Sequence, residues 1–250
     1  MKKLILIAAT ILLFTLTACK NNDSDISDNG HSFVTPPPFA RYELKTGPQI
    51  YYIFEEFGAH TADVTKIKAS SQPPASSIPQ DKIKYIDELE QDVRCWLDAN
   101  AKTIYYYANG VTTAGGTKKI ILSPDSRLLF KDCYYVTEID LQYFDTRKVE
   151  DMSFMFSYCR KLSSLDLSNF DTSKVNQTSY MFFSCHILLR IYVSNLFDTS
   201  SVQDSFDMFK ECLLLIGGNN TTYNSDKTDK EYARIDAAGT PGYFTLKTNP

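Results

Sequence analysis

Three phrases place an aspartate where a catalytic carboxylate could stand: Phe144-Asp145-Thr146, Phe170-Asp171-Thr172 and Phe197-Asp198-Thr199. An Asp-Thr turn can serve hydrolysis when two such carboxylates, on non-equivalent lobes, share one proton. The pattern here speaks against that chemistry. The phrase recurs at nearly constant intervals, so its copies march along one edge instead of meeting as a pair. No glycine follows the threonine to tighten the turn. Asp and Thr at the end of an apolar run suit another task, accepting backbone N–H groups two or three residues on, as an Asx turn or a helix cap. The histidines are His31, His60 and His186, and their scatter supports neither a triad nor a metal cluster. No two cysteines stand at zinc-site spacing. The expectation is a protein that is not an enzyme, with no catalytic residue, no metal and no cofactor.

The elements behind these phrases repeat. Cys133, Cys159, Cys185 and Cys212 are spaced 26, 26 and 27 residues apart, each three residues after a phenylalanine (Phe130, Phe156, Phe182, Phe209). Self-similarity at such a period marks stacked repeats. Each unit opens on a strand-like alternation. Ile139 and Leu141, Leu165 and Leu167, and Ile191 and Val193 would face a core. The opposite face would carry Glu138, Asp140 and Gln142, then Ser164, Asp166 and Ser168, then Arg190, Tyr192 and Ser194. Val149, Met152 and Phe156 fit a short helix after the Asp-Thr turn. One cysteine per unit reads as a structural ladder of buried, reduced thiols. The spacing predicts an α/β repeat solenoid, a stack of short parallel strands and short helical turns.

On the predicted polar face, Asp140 should stack beside Asp166 with Glu138 nearby. Like charges on adjacent strands need compensation, whether from a cation, a basic partner group or Arg190 and solvent. This face is the expected binding surface.

The N-terminus sets a compartment. Lys2 and Lys3 precede an apolar run from Leu4 to Leu16, too short to span a membrane comfortably and laid out as a signal peptide. It ends in Leu16-Thr17-Ala18-Cys19, which resembles a bacterial lipobox. The resemblance implies cleavage before Cys19, lipidation of its sulfur and acylation of the new amino group, so that more than one acyl chain holds the protein to a membrane. Residues 19–40, rich in Asn, Asp and Ser and ending in Pro36-Pro37-Pro38, read as a flexible tether. The net charge of −4 becomes more negative once Lys2 and Lys3 are removed, which argues against nucleic acid as a partner.

The phrases LDLSNFDTSKV and SYMFFSC, recurring at 26 residues, resemble the repeats of BspA-like bacterial surface lipoproteins with leucine-rich-type repeats. The resemblance covers about half the chain. It implies a leucine-rich-repeat-like stack on a lipid-anchored protein of the cell envelope, at the outer membrane and exposed on the surface. It also implies adhesion to host matrix or to other cell-surface proteins. The organisation expected is a leader (1–18), a tether (19–40), an N-terminal α+β capping region (41–117), a repeat region (118–216) and a C-terminal cap and tail (217–250). The repeat region comprises a half repeat and units 133–158, 159–184 and 185–211. Within the N-terminal region, Ile83, Ile86 and Leu89 suggest a helix over 81–91, and Val93–Leu97 and Lys102–Tyr107 suggest a hairpin. The leading expectation is a non-enzymatic surface binding module. The alternative is a structural or assembly lipoprotein facing the periplasm.

Overall fold

The computed structural model describes residues 42–90, 92–111 and 119–247. The leader, Cys19 and the tether lie outside the described residues, as does Lys118, the expected start of the repeat region. The described residues all belong to one compact unit.

The chain opens with β1 (Tyr42–Glu43) and α1 (Gly47–Glu56), the one α-helix among the described residues. Gln49 Oε1 accepts from both the backbone N–H and the hydroxyl of Thr46 (2.8 Å each), and Pro48 presets the first turn. Next come β2 (Lys66–Ala69), β3 (Ile83–Tyr85), β4 (Val93–Asp98), β5 (Thr103–Ala108) and β6 (Ile120–Ile121). The repeats contribute β7 (Glu138–Ile139), β8 (Phe144–Asp145), β9 (Ser164–Leu167) and β10 (Arg190–Val193), and β11 (Phe244–Leu246) closes the set. They build a five-stranded sheet in the order β3-β4-β5-β2-β7 and two three-stranded sheets, β1-β6-β8 and β9-β10-β11. The five-stranded sheet is mixed, while the two smaller sheets are parallel throughout.

This overturns the expected fold class. The protein is not a leucine-rich-repeat-like α/β solenoid of alternating strands and helical turns. Its strands divide among three small sheets, its single α-helix lies outside the repeats, and no repeat contains a helix. The segment around Met152 and Phe156 shows why. Phe154 and Tyr158 sit at φ 59° and 63°, in the left-handed region, so a right-handed helix cannot run through them. Short turn bonds replace it, from Met155 N to Met152 O (3.1 Å) and from Ser157 N to Phe154 O (3.1 Å). The remaining N–H groups donate to the following repeat, Phe156 to Met181 O (2.9 Å) and Tyr158 to Phe183 O (2.7 Å). The same stitching joins Phe130 N to Met155 O and Phe182 N to Met208 O, each at 2.9 Å. Isolated parallel bridges link Asp125, Asp151, Gln177 and Asp204 in turn.

The repeat phenylalanines are fully buried and form one stacked column. Phe130–Phe156, Phe156–Phe182 and Phe182–Phe209 have ring centroids 5.5, 5.8 and 5.5 Å apart, with interplanar angles of 13° or less. Phe54 of α1 stacks on Phe130 at one end (6.0 Å), and Tyr243 and Phe244 meet Phe209 edge-on at the other. Burying such rings is a large apolar gain, and their parallel geometry fixes the register of neighbouring segments. The expected hairpin is present as β4 and β5, paired from Val93↔Ala108 to Asp98↔Thr103. The expected helix over 81–91 is not. Gln80–Lys82 is a single 3-10 turn leading into β3, and Leu89 is exposed.

Candidate functional site

The predicted polar face exists, but it is assembled differently from the expectation. β9 pairs with β10 in the register Leu165↔Ile191 and Leu167↔Val193, so those apolar side chains turn inward while Ser164, Asp166 and Tyr192 turn outward. β7 does not continue this ladder. It pairs with β2, through Lys66↔Glu138 and Ile67↔Ile139. On the far side of β10, the C-terminal β11 adds in parallel, with Tyr192 opposite Thr245.

Three hollows run across the outer surface of these strands. One, of about 450 Å³, is lined by Ser164, Asp166, Tyr192, Leu246 and Lys247. A second, of about 490 Å³, lies among Ser168, Asn169, Ser194, Asn195 and Leu196. A third, of about 480 Å³, lies where the ladder is interrupted between β7 and β9, and brings Glu138, Asp140 and Gln142 to the same wall as Asp166 and Ser168. Lys247 borders all three. The expected neighbours Asp140 and Asp166 therefore share a groove without being partners in a ladder.

Each carboxylate in that groove has a local partner. Glu138 pairs with Lys68 Nζ at 2.8 Å, and this bond raises the Lys68 pKa. Asp140 accepts from Gln142 N (3.1 Å) and Gln142 Nε2 (2.9 Å). Asp166 accepts from Ser168 N (3.0 Å) and pairs with Lys247 Nζ. Burial works against its charge, but the bonds from Lys247 and Ser168 prevail and hold its pKa below the ordinary value. Arg190 does not supply the compensation. Its guanidinium donates to Ile216 O (2.9 Å) and Gly217 O, holding the following loop. Lys68 and Lys247 lie outside the repeat phrases and carried no signal there. Asn169, whose Nδ2 donates to Leu141 O (3.0 Å) and Phe144 O (2.9 Å), sits in every view of the sequence beside Phe170 but has no strand-face periodicity to single it out.

The Asp-Thr phrases act as fasteners. Asp145, Asp171 and Asp198 each accept the backbone N–H two residues on, from Arg147 (3.1 Å), Ser173 (3.0 Å) and Ser200 (2.9 Å). Thr146 Oγ1 donates to Asp171 O and accepts from Asp171 N, both at 2.8 Å. Thr172 repeats this bond pair with Asp198 (2.6 and 2.7 Å). Thr146 and Thr172 so tie one repeat to the next.

The ladder cysteines are buried free thiols. Cys159, Cys185 and Cys212 donate to Phe130 O (3.3 Å), Phe156 O (3.1 Å) and Phe182 O (3.0 Å). Burial pushes the Cys159 and Cys212 thiols up, away from the reactive thiolate. The nearest approach to a nucleophile–base pair is Ser184 Oγ, 3.0 Å from His186 Nε2. Ser184 is buried within the turn ladder at φ 62°, and His186 has no carboxylate partner among the described residues. No cluster of metal-ligating side chains occurs among the described residues.

Comparison with known proteins gives a family match over part of the chain. No curated protein and no solved structure matches the chain. Residues 125–237, which hold the repeats and the loop that closes them, match the family described as Mycoplasma protein of unknown function, DUF285.

Proposed function

We propose that this chain is a non-enzymatic, lipid-anchored protein of the cell envelope that binds proteins of host matrix or of other cells through the outer face of β9, β10, β11 and the adjoining β7. The observation that supports it is the run of three contiguous hollows along that face. Their walls mix hydroxyl, amide and ion-paired side chains with the tyrosine ring of Tyr192, the composition of a recognition surface rather than of a reaction centre. Cys19 supplies the membrane link in this reading, and the tether gives the folded unit reach. The resemblance of the repeats to BspA-like surface lipoproteins points the same way.

The test is binding of the purified chain to immobilised matrix proteins, with Asp140→Lys/Asp166→Lys beside wild type. Loss of binding by a variant that melts normally is the expected result. Full binding by that variant rejects the strand face. The second reading, an assembly lipoprotein facing the periplasm, is separated by protease shaving of intact cells, in which a periplasmic protein survives.

A further inference from the structure

The turns that precede and follow each ladder cysteine carry a different surface, and the strand-face reading leaves it unused. Tyr134, Tyr158, Phe183 and Tyr180 form a connected chain of rings, with centroids 6.3, 5.2 and 5.5 Å apart. Tyr180 also touches Phe154 (4.7 Å) and Phe206 (5.4 Å). These rings are only partly covered, and Phe206 is 55% exposed. Leu213 and Leu214 follow Cys212 as Tyr134 and Tyr135 follow Cys133, and both leucines are more than half exposed.

Two features separate this edge from ordinary surface. Phe154, Tyr158 and Tyr180 hold φ values of 59°, 63° and 59°, where glycine or asparagine costs least. Bulky aromatic residues occupy strained positions that open to solvent, where core packing does not demand them. The cations are also unevenly matched. Lys131 and Lys210 pair with the buried Asp132 and Asp207. Arg160 has no carboxylate partner among the described residues, and its guanidinium lies over Tyr134 (5.0 Å) and Tyr158 (5.4 Å). Lys161 beside it is exposed.

Amphipathic rings, protruding leucines and two unpaired cations, set against one unpaired carboxylate at Glu211 among the described residues, match the layered chemistry of a bilayer interface. Rings and leucines fit the boundary between headgroups and acyl chains, and cations fit the phosphate zone. We propose that this turn edge is a membrane-contacting surface. Phe206, Leu213 and Leu214 enter the interface, and Arg160 and Lys161 face anionic lipid phosphates. The proposal rests on the lipid-anchored reading only for the presence of a bilayer within reach of the tether.

The experiment uses the chain from residue 19, with Cys19→Ser to remove the acylation site. The leader is left out because cleavage before Cys19 would remove it in the anchored reading. The probe is sedimentation with vesicles of phosphatidylcholine, with and without phosphatidylglycerol. The expected result is partition onto the vesicles that is stronger with the anionic lipid. Phe206→Ser/Leu213→Ser/Leu214→Ser should weaken it about tenfold or more, because exposed apolar side chains supply the insertion. Should that triple variant unfold, Phe206→Ser alone, at a position more than half exposed, is compared instead. Arg160→Ala/Lys161→Ala should reduce only the preference for anionic vesicles. Absence of vesicle binding by the unacylated chain overturns the proposal, as does binding unchanged by the serine substitutions. Capture of a protein partner by this edge without vesicle binding overturns it too. The anchor is tested separately, by the mass of the protein recovered from cells. A chain lacking acyl groups there would defeat the anchored reading while leaving the vesicle result standing.

Discussion

The Nζ of Lys247, one residue beyond β11, reaches across the sheet to the Asp166 carboxylate of β9. The contact spans Tyr192 of the intervening β10 and joins the C-terminal strand to the second repeat. Asp166 has its pKa lowered in the fold, with burial opposed by the Lys247 and Ser168 bonds. A depressed carboxylate contributes stability above its unfolded pKa of about 3.9, and that contribution is lost as pH falls through the folded value. The pair is nearly half exposed on both sides, so its worth is small. Lys247→Ala is expected to cost no more than about 1 kcal/mol in urea unfolding. Near neutral pH the loss should be measurable, and below the folded pKa of Asp166 it should vanish.

Asp236 should matter far more. It is buried and accepts from Asn219 N (2.7 Å), Thr221 N (2.9 Å), Thr221 Oγ1 (2.7 Å) and Gly242 N (3.3 Å). Burial raises its pKa, yet these donors outweigh burial and leave it lowered. Asp236→Ala would leave several donors, buried or half-buried, without their shared acceptor, at a cost of about 2–3 kcal/mol. The wild type should lose part of its stability on acidification through the lowered pKa, whereas the variant should show a flatter acid limb. Urea titrations across the acid range would measure both.

The phenylalanine column predicts a graded response. Phe182 is fully buried between Phe156 and Phe209. Phe182→Ala is expected to cost about 3–5 kcal/mol, and Phe182→Leu substantially less, because it leaves a smaller void. Equal losses for the two variants would mean that ring stacking, not filled volume, dominates the column.

The thiols should be silent in the native protein. Cys95, Cys133, Cys159, Cys185 and Cys212 are buried, and burial raises the Cys95 thiol as it does Cys159 and Cys212. At Cys185 the hydrogen bonds with Cys159 and Cys212 outweigh burial and lower the thiol, so its silence rests on inaccessibility. A thiol-reactive dye at mildly alkaline pH should label none of the five until denaturant is added, and then all five. Rapid labelling of any ladder cysteine in the folded chain would contradict the packing described.

At Glu211 the backbone conformation itself can be tested. This exposed residue sits at φ 65°, and its side chain makes no ion pair among the described residues. Glu211→Gly should raise stability by roughly 0.5–1 kcal/mol, the relief of left-handed strain less the added freedom of the unfolded chain. A rise in melting temperature would show it.

The 26-residue rhythm made much of the core readable before any fold was known. Ile139, Leu141, Leu165, Leu167, Ile191 and Val193 are all buried, as alternation required. The expected helix failed because apolar spacing at i, i+3 and i+7 is ambiguous. Successive turns with left-handed residues at Phe154 and Tyr158 bury Met152 and Phe156 as well as a helix would. The lysines that neutralise Glu138 and Asp166 were invisible because β2 and β11 reach the repeats from distant parts of the chain. Nothing in a local pattern says which strand will occupy an open sheet edge.

Sequence alone determined the period, the inward alternation of the strand phrases and the Asx-turn role of the aspartates in the Asp-Thr phrases, because these depend on neighbours within one repeat. The threonine ties to the next repeat appeared only in the structure. Tertiary structure decided the division into three sheets, the interrupted ladder between β7 and β9, and the ion pairs across the strand face. Those features arise where segments far apart in the chain compete for the same backbone hydrogen bonds, and that competition is settled only when the whole unit packs.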